Sequence, residues 1–414
     1  MCGVNREQMI RSAARRLLPE RVREACREDV YRALNRRTLR SAAEPGELRP
    51  GLALYALLHD PTGIGSSGRS LAAGCMAAGL PLRLEALHAE SSPAEPLPEW
   101  ETLCGGAEEM DTNLFVFNAD CAGYFLHQLG AERLHGRYNI AHWSWELPVF
   151  PERWDRSFDY FDEIWTLSCF TAEAIAARGK KSVRVIPYAI DPRPAGNAGR
   201  AELGLPEDAF LFLSMFDPRS IQARKNPLGA VQAYCRAFPA EQHDTALVLK
   251  VTGDAAAIRA ALPARRDILL LDSPLSAGEQ AALLQSCDCF VSLHRAEGFG
   301  LPIAEAMALG KPVVVTGWSG NMDFTNEKNA CCVPYELREI GALAKPPYDA
   351  WQRWAEPEID TAADYMRTLC ADAALGRRLG EAAAETMRRD YSPARCGESI
   401  DTRLRELGRL EERK

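Results

Sequence analysis

The sequence lacks any long hydrophobic run. Leu52 to Leu58 is the longest strongly apolar stretch, far short of the ~20 residues that a membrane-spanning helix needs. The first residues, Met1-Cys2-Gly3-Val4-Asn5-Arg6, are polar and basic where a secretory leader would be apolar, so no signal peptide is expected. The chain also lacks a C-x-x-C pair among its 13 cysteines. That argues against zinc and thioredoxin-like chemistry. An odd, scattered set suits buried thiols in a reducing compartment, and a cytoplasmic location is expected. Basic charge is in deficit, with 49 Lys and Arg against 57 Asp and Glu, a net charge of −8. Nucleic-acid wrapping needs the opposite balance. No internal repeat, low-complexity tract or Asp-x-Asp metal motif stands out, and no metal site is expected.

What is there is ordinary globular material in unusual order. At 414 residues, 47% hydrophobic and 26% charged, two or three domains are expected. Residues 1–48 form a basic helical extension, with eleven arginines and five acidic residues between Met1 and Arg40. Val22, Ala25, Cys26, Val30, Ala33 and Leu34 recur at helical spacing. Such an arm either packs on the body as a structural helix or touches an anionic membrane surface. After Pro50-Gly51 the texture becomes alternating β and α. Strands are predicted at 52–58, 82–87, 113–117, 140–143, 164–167 and 183–186. A glycine-rich turn follows the first strand, and a helix is predicted from about Ser70 to Ala78. Residues 89–110 read as a long loop and 191–204 as a linker. A second series has strands at 210–214, 246–251, 268–271, 289–293 and 312–315, and from about Thr361 the chain reads as helical. Two α/β blocks of similar size imply two doubly wound, Rossmann-like domains with a cleft between them. The expected boundaries are 49–195 and 196–390, with a C-terminal helix over 391–414 that can cross back to the first domain.

Chemistry concentrates in a few stretches. The strand at 290–293 opens into His294-Arg-Ala-Glu297-Gly298-Phe299-Gly300-Leu301-Pro302, then a helix carrying Glu305. Gly298 and Gly300 let backbone approach a ligand closely. The helix start at Pro302 offers free N–H groups to a phosphate. Glu297 and Glu305 bracket the loop and suit hydroxyl recognition. Arg224-Lys225-Asn226-Pro227 follows another strand, where adjacent cations can neutralise a diphosphate leaving group. Gly63-Ile-Gly65-Ser-Ser-Gly68 has the G-x-G-x-x-G outline, with Glu85 at the end of the next strand. That outline alone fits a dinucleotide site, a cleft-facing loop or a tight turn. His142-Trp143-Ser144-Trp145-Glu146 offers aromatic platforms for sugar faces and a hydroxyl acceptor, or else core packing. Asp120, in Asn118-Ala-Asp120, ends another strand.

Glu297-Gly-Phe-Gly-Leu-Pro-Ile-Ala-Glu305, continued by Ala306-Met-Ala-Leu-Gly-Lys-Pro-Val-Val314, resembles the E-x7-E signature of family-four retaining glycosyltransferases, of GT-B fold, also called group 1. The resemblance extends over roughly residues 51–390, and the segment 139–154 is similar to a bacterial subgroup. It implies Glu297, Lys225 and Arg219 as catalytic residues. It implies donor contacts from Arg224, Gly298, Phe299, Gly300, Leu301, Glu305 and Gly65, and from Ser319, Gly320 and Asn321 after the strand at 312–315. It places His142, Trp143, Trp145, Glu146 and Asp120 on the acceptor side. Asp217-Pro218-Arg219 departs from the family's commoner Gly-Arg form, which leaves the phosphate role open between Arg219 and Arg224. The implied reaction moves a hexose-type sugar from a nucleoside-diphosphate sugar, GDP- or UDP-linked, to a hydroxyl of a glycan, lipid-linked or small-molecule acceptor. No obligatory cofactor is implied. A lipid-linked acceptor would bring residues 1–40 to the inner membrane surface. Two other classes remain open at this level: a nicotinamide-dependent two-domain oxidoreductase resting on Gly63–Gly68, and a non-catalytic glycosyltransferase-like binding protein.

Overall fold

The computed structural model describes residues 20–88, 100, 102–106, 108–191, 198–218, 220–240 and 244–410. Arg219, most of the expected loop at 89–110 and part of the linker lie outside them. The first described element is α1 (Glu20–Arg40). It is followed by β1 (Arg49–Ala56), α2 (Gly63–Ala77), β2 (Leu82–Ala86), β3 (Met110–Val116), α3 (Ala122–Leu129), β4 (Tyr138–Trp143), β5 (Glu163–Thr166), α4 (Cys169–Ala176) and β6 (Ser182–Val185). The second half contains β7 (Phe210–Phe216), α5 (Pro227–Ala237), β8 (Thr245–Val251), α6 (Ala256–Ala261), β9 (Ile268–Leu271), α7 (Ala277–Ser286), β10 (Cys289–Ser292), α8 (Leu301–Ala308) and β11 (Val313–Thr316). It closes with β12 (Cys331–Val333), β13 (Tyr335–Glu339), β14 (Arg353–Pro357), α9 (Ile359–Ala371), α10 (Ala373–Asp390) and α11 (Pro393–Glu406).

The strands form two six-stranded parallel sheets, ordered β2-β1-β3-β4-β5-β6 and β12-β11-β10-β7-β8-β9. Helices cover both faces, so strands such as Leu52–Ala56 and Thr245–Val251 are buried throughout. β1 lies between β2 and β3, and β7 lies between β8 and β10, which sets switch points at β1/β3 and β7/β10. The loops leaving β7 and β10 start at the second of these, the place where such sheets bind ligands. This is an α/β two-domain architecture of the GT-B type.

The chain passes between the halves at two adjacent points, where the Ile190 N–H donates to the Tyr391 carbonyl (2.6 Å). From there α11 packs on α2. A Cβ on Gly397 would lie 2.2 Å from the Gly74 carbonyl, so only glycine permits that approach. Arg403 of α11 reaches the fully buried Glu163 of β5 at 2.7 Å.

Several expectations are revised. Helix α2 starts at Gly63, not near Ser70, so the glycine-rich turn forms its first turns. A Cβ on Gly65 would sit 2.0 Å from the Asp60 carbonyl. The glycine is therefore demanded by the strand-to-helix turn. Strands β12, β13 and β14 were not anticipated. Helix α1 packs on the body: Tyr31 is buried against the rings of Tyr124 (5.7 Å) and His127 (5.2 Å). Asn35, fully buried, donates to the Gly123 carbonyl at 3.0 Å. Arg32 and Arg36 pair with Asp159.

Candidate active site

At the end of β7, one helical turn, Gln222–Lys225, is closed by Asn226 in the left-handed region (φ 49°). Asparagine tolerates that conformation better than most side chains. The Asn226 amide donates to the Leu293 carbonyl at 2.8 Å, tying the β7 loop to the β10 loop. Arg295 adds two bonds, from its backbone N–H to the Arg224 carbonyl (2.7 Å) and from its guanidinium to the Ala223 carbonyl (2.6 Å). Glu356 of β14 holds Arg295 in a two-point ion pair at 2.6 and 2.9 Å.

This frame brings the two basic side chains onto one carboxylate. Lys225 Nζ lies 2.5 Å from one oxygen of Glu297, and Arg224 lies 3.2 Å from the other. Burial alone would favour the neutral acid, but Lys225 and Arg224 bring the Glu297 carboxyl down to about 2. The Arg224 guanidinium also donates to the Ala296 carbonyl (2.7 Å) and lies 3.3 Å from Glu146, which comes from the first domain. Glu146 accepts a hydrogen bond from the Tyr348 hydroxyl.

The Glu297 loop is clamped from behind. Its N–H donates to Ser319 Oγ, and its carbonyl accepts from the Gly320 N–H, each at 2.9 Å. Ser319 adopts φ 76°, uncommon for a residue with a side chain. A Cβ on Gly298 would come within 2.9 Å of the Trp145 carbonyl, and the Gly298 carbonyl accepts from Ser168 Oγ at 2.6 Å. Gly300, at φ 97°, precedes α8, which has no side-chain cap; the Gly300 carbonyl accepts from the Ile303 and Ala304 N–H groups, each at 3.0 Å, and the positive end of the helix dipole lies at this terminus.

The structure thus joins Arg224, Lys225, Glu297, Gly298, Ser319, Gly320 and Glu146. Glu305 is half-buried one turn into α8, not in its first turn, and Leu301 is half-buried at the start of α8. Asp120 is exposed at the end of β3. Other expected contacts are buried. Trp143 and Trp145 are 0% and 1% exposed, packed among Phe150, Phe158 and Phe161, so they are core residues and not sugar platforms. Phe299 is buried against Tyr188, Phe324 and Tyr391. Asn321 is fully buried and donates to the Thr316 carbonyl at 3.0 Å, which makes it a loop scaffold. His142 is buried beside Tyr188.

Two contributors were missed. Arg295 stands inside the recognised stretch and could have been weighed as the residue that fixes the basic loop. Tyr348 lies in Lys345-Pro-Pro-Tyr348, which carries no periodicity and no motif.

Burial pushes His142 down to about 3 and His294 down to about 4. Unfolded, each takes a proton near 6.5. Between those values the unfolded chain binds more protons than the folded one, so stability falls as the pH falls. Below pH ~6.5 each histidine removes about 1.4 kcal/mol per pH unit until its folded value is reached. We expect Tm to drop from pH 7 to pH 5, and the drop to be shallower in His142→Phe. Parallel slopes for the variant and the parent would contradict a neutral buried His142.

Comparison with known proteins follows the same line. Residues 222–345, which contain Arg224, Lys225 and the Glu297 loop, match the family model described as glycosyl transferases group 1. This similarity to group 1 glycosyltransferases covers the stretch from the basic loop through the Glu297 loop. No curated protein matches it. Among solved structures, sucrose-phosphate synthase from Thermosynechococcus elongatus is 17% identical, with a TM-score of 0.61 over 87% of this chain and 99% of that one. HepE from Anabaena, in complex with UDP and glucose, is 14% identical, with a TM-score of 0.62 over 87% of this chain and 100% of that one. A glycosyltransferase from Rickettsia africae is also 14% identical, with a TM-score of 0.59 over 88% and 100% of the two chains. At such identities the likeness shows the fold alone, an α/β fold of the GT-B type.

Proposed function

We propose that the chain is a glycosyltransferase that moves a hexose-type sugar, with retention of configuration, from a GDP- or UDP-sugar to a hydroxyl of a glycan, lipid-linked or small-molecule acceptor. The observation that carries the reading is the Lys225–Glu297 pair in the loops at the β7/β10 switch point, where α8 begins without a side-chain cap. Lys225, together with α8, stabilises the charge that grows on the leaving β-phosphate. Glu297, ionised, is suited to hold sugar hydroxyls, and Glu305 to hold the ribose. The bond from the anomeric carbon to the β-phosphate oxygen breaks, and a bond to the acceptor oxygen forms on the same face. The acceptor proton passes to the departing phosphate oxygen, so no protein base is required. The UDP and glucose named in the HepE complex support this donor class.

Turnover tests it directly. Purified protein is screened by thermal shift with GDP, UDP, ADP, dTDP and NAD, since a ligand of the native state raises Tm. Stabilisation by a nucleoside diphosphate is expected. The product anomer, read by NMR with the matching nucleotide sugar, should retain the donor configuration. Stabilisation by NAD alone, or an inverted product, overturns the proposal.

The N-terminal arm bears on the acceptor. The described part of α1 leaves Val30 57% and Leu34 40% exposed, on a helix whose last turn carries Arg37 and Arg40. This supports weak contact with an anionic lipid surface, at about 1 kcal/mol per basic residue close to it. Co-sedimentation with phosphatidylserine vesicles should exceed that with neutral vesicles and fall at high salt; equal binding to both refutes the contact.

A further inference from the structure

Arg224 is shared between the two halves of the molecule. One carboxylate near it, Glu297, belongs to the second domain, and the other, Glu146, to the first. Its side chain is only 8% exposed, and it also donates to the Ala296 carbonyl. The segment between β13 and β14 brings these groups together. It leaves the second domain, lies on the 145–153 loop of the first, and is fastened there at several points. The Gln352 amide donates to the Val149 carbonyl at 2.8 Å, and Arg153 pairs with Asp349 at 3.1 Å. The Tyr348 ring, buried, sits edge-on to Trp145 with centroids 5.7 Å apart, and its hydroxyl donates to Glu146.

Charge is balanced across this cluster. The cations Arg224 and Lys225 face the carboxylates Glu297 and Glu146. The Arg224 guanidinium lies between two carboxylates and a carbonyl, its Nε paired with Glu146 by charge without a hydrogen bond, whereas the Lys225 ammonium has one carboxylate contact and three donors.

We infer that Tyr348 and Glu146 are positioning residues for transfer: Tyr348 orients Glu146, and Glu146 holds Arg224 on Glu297 and away from the leaving diphosphate, which leaves Lys225 as the phosphate cation of the pair. This rests on the donor site proposed above. It assigns Glu146 to the protein's own arginine, not to an acceptor hydroxyl.

The test is a sign. Glu146→Gln removes one negative charge from a balanced cluster and releases Arg224. UDP, GDP, ADP and dTDP are titrated calorimetrically against the full chain, and turnover is measured with the matching nucleotide sugar. Whichever nucleoside diphosphate binds the parent should bind Glu146→Gln about 3- to 10-fold more tightly. Turnover at saturating donor should fall about 10-fold, because Glu297 loses its fixed partner. Tyr348→Phe keeps every charge, so binding should stay within about twofold while turnover falls. Glu146→Asp, which keeps the charge but shortens its reach, should lower turnover without tightening binding. A merely structural role would weaken binding and turnover together and lower Tm. Glu146→Gln binding no more tightly than the parent, or turning over at the parent rate, overturns the inference and leaves the donor site intact. If the parent binds none of the four, the proposed function fails, and the inference with it.

Discussion

Lys225→Ala is expected to lower turnover by about 10²-fold or more. The ammonium sits at the end of β7, 2.5 Å from Glu297, where a departing diphosphate would place its negative charge. Removing one charged stabiliser from a dry site costs about 3 kcal/mol of transition-state stabilisation. A second consequence acts on folding. Glu297 is buried and is held ionised by Lys225 ahead of Arg224. Without Lys225 its charge is less compensated, so some loss of native stability accompanies the loss of rate. Thermal melting of Lys225→Ala separates the two. A folded variant with a Tm near the parent's and turnover reduced a hundredfold supports the phosphate role. Lys225→Arg keeps the charge on a longer, planar group and should recover part of the rate. Full activity in Lys225→Ala would take this residue out of the reaction.

Much of this site was legible because parallel strands buried on both faces read as nearly continuous apolar runs. Phe210–Phe216 and Cys289–Ser292 are examples, and the residues following each run fall at the switch point by topology. Arg224, Lys225 and Glu297 all lie in the segments that follow such runs. Misreadings have specific causes. Glycine-rich sequence suggests a loop, yet Gly63–Gly68 is helical, since the glycines serve close packing on Asp60 and Ala56. Tryptophan near a strand end suits a platform or a core equally, and only burial decides between them for Trp143 and Trp145. Strand β13, largely exposed along Tyr335–Glu339, has no buried alternation to betray it. Tyr348 depends wholly on tertiary placement: it lies more than 200 residues from Glu146, its hydrogen-bond partner.

Gly320→Ala is expected to abolish measurable transfer while leaving most of the fold in place. A Cβ built on Gly320 would lie 1.9 Å from the Gly298 carbonyl oxygen and 2.4 Å from its carbon. Both atoms are backbone, so no side chain can swing aside to make room. The added methyl must push the 298 peptide away from the 320 peptide. That motion breaks the bond from the Gly320 N–H to the Glu297 carbonyl and lengthens the one from the Glu297 N–H to Ser319 Oγ. Glu297 then leaves the position in which Lys225 and Arg224 meet it. Overpacking of this kind typically costs about 1–3 kcal/mol in stability. The effect on rate should be larger, because a displacement of ~1 Å at a positioning element can cost about 10²-fold. Gly376→Ala is the matched control, since its Cβ would meet only Pro312, at 3.9 Å. The control should keep parent activity and Tm. Gly320→Ala should show a modest drop in Tm, weakened nucleoside-diphosphate binding by calorimetry and turnover reduced at least a hundredfold. Parent-like turnover in Gly320→Ala would mean that the Glu297 loop need not be clamped for transfer.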